Sequence, residues 1–188
     1  MNKIITLSVI LVLLIAGYFL FIDSKKIETQ YTKYTSPEIG LEFDYPTGYV
    51  LDERMPVDLG TGLIKVIILE RSEDKSKEPP VNSEGAPTIT ISVFENNKKQ
   101  FSGVWAEENI QYSNINLKQG DIKEMVVGGA NAIQYMADGL YASNNAVVAH
   151  GDNIYVITGQ FIDQNSDLQK DFQPILNSIK FIPKPGQE

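Results

Sequence analysis

Residues 145–161 read NAVVAHGDNIYVITGQF, and the distribution of apolar side chains along this stretch decides the fold. Two runs flank Gly151, Asp152 and Asn153, where Gly and Asn tolerate the positive φ of a tight hairpin turn. In the first run Val147 and Ala149 point one way and Ala146 and Val148 the other. In the second, Tyr155 and Ile157 oppose Ile154 and Val156. A strand with one wet face would alternate apolar and polar residues; these are apolar on both parities. They predict two antiparallel strands in the middle of a sheet covered on both faces.

The neighbouring stretches extend that sheet. DIKEMVV (121–127), the pair Gly128 and Gly129, and ANAIQYMADG (130–139) read as strand, turn and strand. PTITISVFE (87–95) sets Ile89, Ile91 and Val93 against Thr88, Thr90 and Ser92. LIKVIIL (63–69) is apolar on both parities except at Lys65, which predicts an inner strand. GLEFDYP (40–46) alternates, and the turn at Pro46, Thr47 and Gly48 into YVLDERM (49–55) reads as a hairpin. Residues 70–87 hold little to bury and are expected to be a mobile excursion between two strands.

Two stretches carry helical signals. SGVWAEEN (102–109) begins with Ser102 as a candidate N-cap, and Trp105 and Ile110 give it an apolar side. In residues 166–179, Leu168, Phe172, Ile175, Leu176 and Ile179 follow a 3.6-residue period, and Ser166 with Gln169 forms a capping-box pattern. Pro174 predicts a bend or split near residues 170–173, because proline removes one backbone hydrogen bond. KFI (180–182) reads as a last short strand and residues 183–188 as a loose tail. The whole is an α+β chain of about eight strands, an α/β/α sandwich around a central antiparallel sheet.

The full chain has 188 residues, 43% of them hydrophobic, with no Cys. That allows one ordinary domain with appendages and excludes disulfides, thiolate metal sites, a cysteine nucleophile and a lipidated cysteine. Residues 4–22, IITLSVILVLLIAGYFLFI, begin at Ile4, end at Ile22 and carry no charge. As a helix they would span about 28 Å, close to a bilayer's hydrocarbon core, and they exceed the length of a signal-peptide core. One N-terminal transmembrane helix is therefore expected. Residues 1–3 would lie in the cytoplasm, 23–36 would form a stalk, and 37–182 an extracytoplasmic domain at the cell membrane.

Setting aside Lys3 with the anchor, 15 basic residues face 24 acidic ones. Such a surface repels nucleic acid, and Arg54 and Arg71 are the two arginines available for phosphate. No nucleic-acid partner is expected. The partners read from the sequence are the membrane, through residues 4–22, and an envelope protein; no cofactor is expected.

The stretch YTSPEIGLEFDYPTGY (34–49), Val127-Gly128-Gly129, NIYVITGQF (153–161) and the pattern FxxILNSIKF (172–181) together resemble the PsbP-like family. That family is named for an extrinsic subunit of the photosynthetic oxygen-evolving complex and shares its fold with a nuclear import factor that binds the Ran GTPase. The resemblance covers residues 31–182. It implies an α/β/α sandwich that works in binding and assembly without a shared catalytic centre. An anchor helix here replaces the targeting leader or lipidated cysteine of photosynthetic members.

Candidate chemistry is sparse. His150 is the single histidine, with no GxSxG elbow to supply a nucleophile. Asp163, Asn165 and Asp167 stand at the first, third and fifth positions of an EF-hand loop, but Leu168 and Pro174 occupy positions that need Gly and Glu. They are the weak metal candidates, and the start of a helix explains them better. The pairs Asp52-Glu53, Glu73-Asp74 and Glu107-Glu108 are adjacent, so their carboxylates diverge where acid–base catalysis needs convergence. Trp105 with Phe101 is a candidate ligand platform whose simpler role is anchoring a helix. The sequence thus favours a non-catalytic binding module; a hydrolase with an unrecognised carboxylate site and a small-molecule or lipid carrier are the alternatives.

Overall fold

Alternating burial and cross-strand pairing build two antiparallel sheets in the computed structural model, which describes residues 29–56, 61–76 and 85–186. The large sheet has seven strands in the order β3 (Tyr49–Arg54), β4 (Leu63–Arg71), β5 (Ile89–Glu95), β9 (Asn153–Phe161), β8 (Ala142–His150), β7 (Ala130–Asp138) and β6 (Lys118–Val127). The small sheet places β2 (Leu41–Pro46) between β1 (Tyr31–Ser36) and β10 (Lys180–Phe181). Strands β8 and β9 are central, as their two-sided apolar runs require, and they pair from Ala142–Phe161 to His150–Asn153. This is a mixed α/β fold with antiparallel sheets.

Each face of the large sheet has its own cover. On one face Ile67, Ile89, Ile91, Tyr155 and Ile157 meet Leu41 and Phe43 of the small sheet and Phe172, Ile175 and Leu176 of α4 (Asp167–Ser178). Phe172 sits directly on the Gly159 backbone. On the other face Phe94, Val147, Ile154 and Val156 are covered by α2 (Ser102–Glu108), α3 (Ile110–Ser113) and a 3-10 turn (Ile115–Leu117). Trp105 is the main contact of α2, with its ring 4.9 Å from Phe94. Tyr135 donates a 2.5 Å hydrogen bond to the Ser113 carbonyl, and burial pushes its pKa up to about 12. At one end of the sandwich the Tyr155 hydroxyl donates to the Ile39 carbonyl at 2.6 Å, tying the β1–β2 turn to the large sheet.

Several expectations are corrected. The stalk does not reach residue 36: Tyr31–Ser36 is a strand fully paired with β2, with Tyr34 and Ser36 buried. No hairpin joins residues 40–46 to 49–55. Both edges of β2 are taken by β1 and β10, and after the turn Gly48 accepts from the Ser72 amide, which directs β3 onto β4 in the other sheet. Strand β4 is inner, between β3 and β5, but its faces differ: Lys65, Ile67 and Leu69 are buried, while Ile64, Val66 and Ile68 on the other parity are half-buried. Lys65 is thus on the core parity, with its ammonium 3.1 Å from Glu53 and 3.2 Å from Glu38. Burial opposes its charge, but the two carboxylates outweigh that and hold its pKa above the usual lysine range. The Tyr34 hydroxyl is buried close by without a partner in hydrogen-bonding geometry.

Of the expected excursion over residues 70–87, both ends are described and structured. Strand β4 runs on through Arg71, α1 (Ser72–Lys75) follows it, and the Gly85 carbonyl accepts from the Tyr141 hydroxyl at 2.8 Å. Helix α4 continues unbroken through Pro174, which lies on its exposed side, so the carbonyl left without a donor faces water. Its N-cap is Ser166, accepting from the Gln169 amide at 3.4 Å. The expected membrane helix at residues 4–22, most of the stalk, residues 77–84 and the last two residues lie outside the described residues. Among the described residues no helix is long and apolar enough to cross a membrane.

Candidate functional site

Beside α2 the outer strands of the large sheet are left uncovered, and a groove of about 670 Å³ opens there. One wall is the start of α2, carrying Phe101, Gly103 and Val104; the other is the β6–β7 hairpin, carrying Glu124 and Asn131. Ile133 and Ala149 form its apolar floor, and His150 stands at one end. A hairpin turn this tight needs both glycines in the left-handed region, with φ of +56° at Gly128 and +85° at Gly129. A Cβ at Gly128 would also lie 2.9 Å from the Phe181 ring, so the hairpin is seated against the C-terminal strand.

Ser102 fixes the wall in place. It was expected to cap its helix, but the position before the helix is Phe101 and no side chain caps it. The Ser102 hydroxyl donates instead to the Asn131 carbonyl on β7 and accepts from the Ala149 amide on β8, both at 3.0 Å. These groups lie just past Ala132–Val148, the last backbone pair of the β7–β8 ladder. The hydroxyl therefore continues the ladder where the two strands part.

The pairing of Phe101 with Trp105 as one platform does not survive. Trp105 is buried under α2, while Phe101 is 79% exposed at the groove mouth. Val104 on the same helix is 47% exposed, and Val126 on β6, beside Asn131, is 64% exposed. Single exposed apolar residues are ordinary; Phe101 and Val104 line one concave surface, and Val126 pairs with Asn131, which also lines it.

His150 stacks on Phe181 with centroids 4.1 Å apart and planes within 11°. Partial burial and the Lys184 ammonium hold its pKa below the usual histidine value. The folded state thus binds the imidazole proton less readily than the unfolded chain. Its stabilising contribution is complete above about pH 6.5 and is lost as pH falls through the lower folded value. Thermal unfolding of the wild type should accordingly drop more steeply from about pH 7 to 5 than that of His150→Gln; parallel profiles would remove the effect.

The acidic candidates do not converge. Asp163 is used locally, accepting from the Asn165 amide at 2.8 Å, and Asp167 pairs with Arg71 at 2.5 Å. No group of three potential metal-binding side chains occurs among the described residues. Asp52 pairs with Arg54 and Glu53 with Lys65; Glu73 pairs with Arg71, and Glu108 accepts from Gln100. Among the described acids, Glu42, Glu53 and Asp167 are held below the usual carboxylate range and Asp171 is raised above it. The neighbouring Tyr34 hydroxyl and the Lys65 ammonium hold Glu53 low, whereas burial raises Asp171, whose carboxylate accepts from the Tyr49 hydroxyl. Glu53 and Tyr49 lie at opposite ends of β3, roughly 13 Å apart along the strand, so Glu53 is remote from Asp171; Asp167, one helical turn from Asp171 on α4, is held low by its pairing with Arg71.

Known structures share this fold. The solution structure of cyanobacterial PsbP (CyanoP) from Synechocystis sp. PCC 6803 is similar over 84% of this chain and 95% of that one, with a TM-score of 0.51 and 10% identity. A crystal structure from Bacteroides thetaiotaomicron VPI-5482 is similar over 85% of this chain and 51% of that one, with a TM-score of 0.51 and 13% identity. At such identities the likeness concerns the fold alone. No curated protein matches the chain. A family model described as PsbP-like protein matches residues 21–181, and with that extent the chain belongs to the PsbP-like proteins.

Proposed function

We propose that the chain is a non-catalytic binding module, held at the cell membrane by residues 4–22 with its domain outside the cytoplasm, and that the groove beside α2 receives a segment of an envelope protein. The observation that carries this reading is the pair of exposed apolar side chains Phe101 and Val104 at the mouth of a concave floor, with the exposed Val126 cross-strand from the lining residue Asn131. Aromatic side chains presented on a rigid scaffold are the usual anchors of an interface. Charge selects the occupant. Glu124 in the groove and Glu107 on α2 have no ion-pair partner among the described residues, so the fitting segment is amphipathic, with apolar anchors and Lys or Arg at its edges.

A photo-crosslinking residue placed at position 101 in native membranes should capture that protein. The same residue at position 162, where Ile162 is equally exposed away from the groove, should not. Capture should weaken at least about tenfold with Glu107→Lys and Glu124→Lys together, while surface changes of this kind leave stability within about 0.5 kcal/mol. Equal capture from positions 101 and 162 would sink the assignment.

A further inference from the structure

On the opposite face of the large sheet, along the flank of α4, lies a second cleft of about 390 Å³. Its lining is dominated by carboxamides. Gln134 on β7 and Asn144 on β8 come from the sheet, and Gln169 and Gln173 come from α4. All four are half-buried. Gln134 donates to Gln173 at 3.0 Å, which sets the orientation of two of the amides. The side chains of Asn144 and Gln169 have no hydrogen-bond partner among the described residues, although each amide offers two donors and an acceptor.

The backbone supplies an independent sign. In the β6–β7 ladder Gln119 pairs with Met136 and Lys123 with Gln134, so residues 120–122 stand against Tyr135 alone. This bulge turns on Gly120, at φ +73°, and a Cβ there would meet nothing. It carries β6 away from β7 at the cleft, which explains why Tyr135 lines this cleft although its ring is buried on the other face. Bulges concentrate beside functional sites because they re-aim side chains and end pairing.

Charge narrows the ligand. Asp121 and Lys123 stand at the rim and cancel, leaving no net charge to hold a phosphate or carboxylate. No aromatic face is offered, since Phe172 is 1% exposed. A set of paired donors and acceptors, neutral overall and of a volume within the small-molecule range of about 300–1,000 Å³, suits hydroxyl and acetamido groups. We infer that this cleft is a binding site for a neutral saccharide, read by Asn144, Gln169 and the Gln134–Gln173 pair. It is separate from the groove beside α2 and stands whether or not a protein binds there.

The test is a titration of the full-length chain, in a detergent without a sugar headgroup, with chitotriose and with maltotriose, followed by the side-chain amide signals of Asn and Gln. At least one oligosaccharide is expected to bind saturably by about 10 mM and to shift the amides of residues 134, 144, 169 and 173. Asn144→Ala with Gln169→Ala should weaken that binding at least about tenfold with unchanged circular dichroism; both side chains are partly exposed and have no hydrogen-bond partner among the described residues. The assignment is overturned if neither sugar binds in this range, if binding persists in the double variant, or if an extended peptide shifts these amides where the sugars do not.

Discussion

Gly159→Ala should lower the unfolding free energy by about 3 kcal/mol, at the upper end of overpacking costs. A Cβ at this position would lie 2.4 Å from Cδ2 of Phe172, 3.1 Å from Cγ and 3.3 Å from Cβ. Rotating the ring relieves the first contact but not the other two, so α4 itself must lift from β9. Phe172→Ala should cost about 3–5 kcal/mol by opening a cavity under the helix. The two changes compensate, because the added methyl occupies part of the space the ring leaves. Urea unfolding of the double variant should therefore show a loss smaller than the sum of the single losses by at least about 1 kcal/mol. Strict additivity would mean that ring and glycine are not in contact.

Trp105→Ala should cost about 3–4 kcal/mol and abolish the capture proposed for the groove. Helix α2 has seven residues, too few to hold a helix in water without packing. What holds it is the Ser102 hydroxyl and the Trp105 ring, which lies against Phe94, itself 4.8 Å from Tyr112. Without the indole the wall bearing Phe101 and Val104 loses its seat. Phe101→Ala separates contact from support: it should reduce capture while leaving the urea midpoint in place, since that ring is largely exposed. A loss below about 1 kcal/mol for Trp105→Ala would show that the helix is anchored by something else.

The elements read best from the residues were those whose packing repeats locally. Strands β8 and β9 carry apolar side chains on both parities and form the centre of the sheet, and α4 follows its heptad-like spacing from a Ser166 cap. Partner choice was not legible. The signals at Pro46 to Gly48 specify a turn, but nothing local says that β2 will find β10 while β3 finds β4. Edge strands also hide: β6 begins at Lys118 in a polar stretch with no alternation, because most of its side chains face water. Lys65 interrupts an apolar run, and only the positions of Glu38 and Glu53 explain how its charge tolerates the core side.

The candidate sites show the same limit. His150 and Phe101 were visible as unusual residues, yet the groove exists because α2, the β6–β7 hairpin and the end of β8 meet in space. The amide cleft gathers residues spread over positions 119–173, each ordinary in its own segment.

Strand β2 also sets when the domain can close during synthesis. It pairs with β1 just ahead of it and with β10, about 140 residues later, through Leu41–Phe181 and Glu42–Lys180. Contacts over such separations form slowly, and until they form β2 keeps an open edge that other chains can pair with. The domain cannot close while the segment that forms β10 is still in the ribosome. A nascent chain stalled before Lys180 would thus be a substrate for chaperones and proteases, although nearly all of the large sheet had already been made.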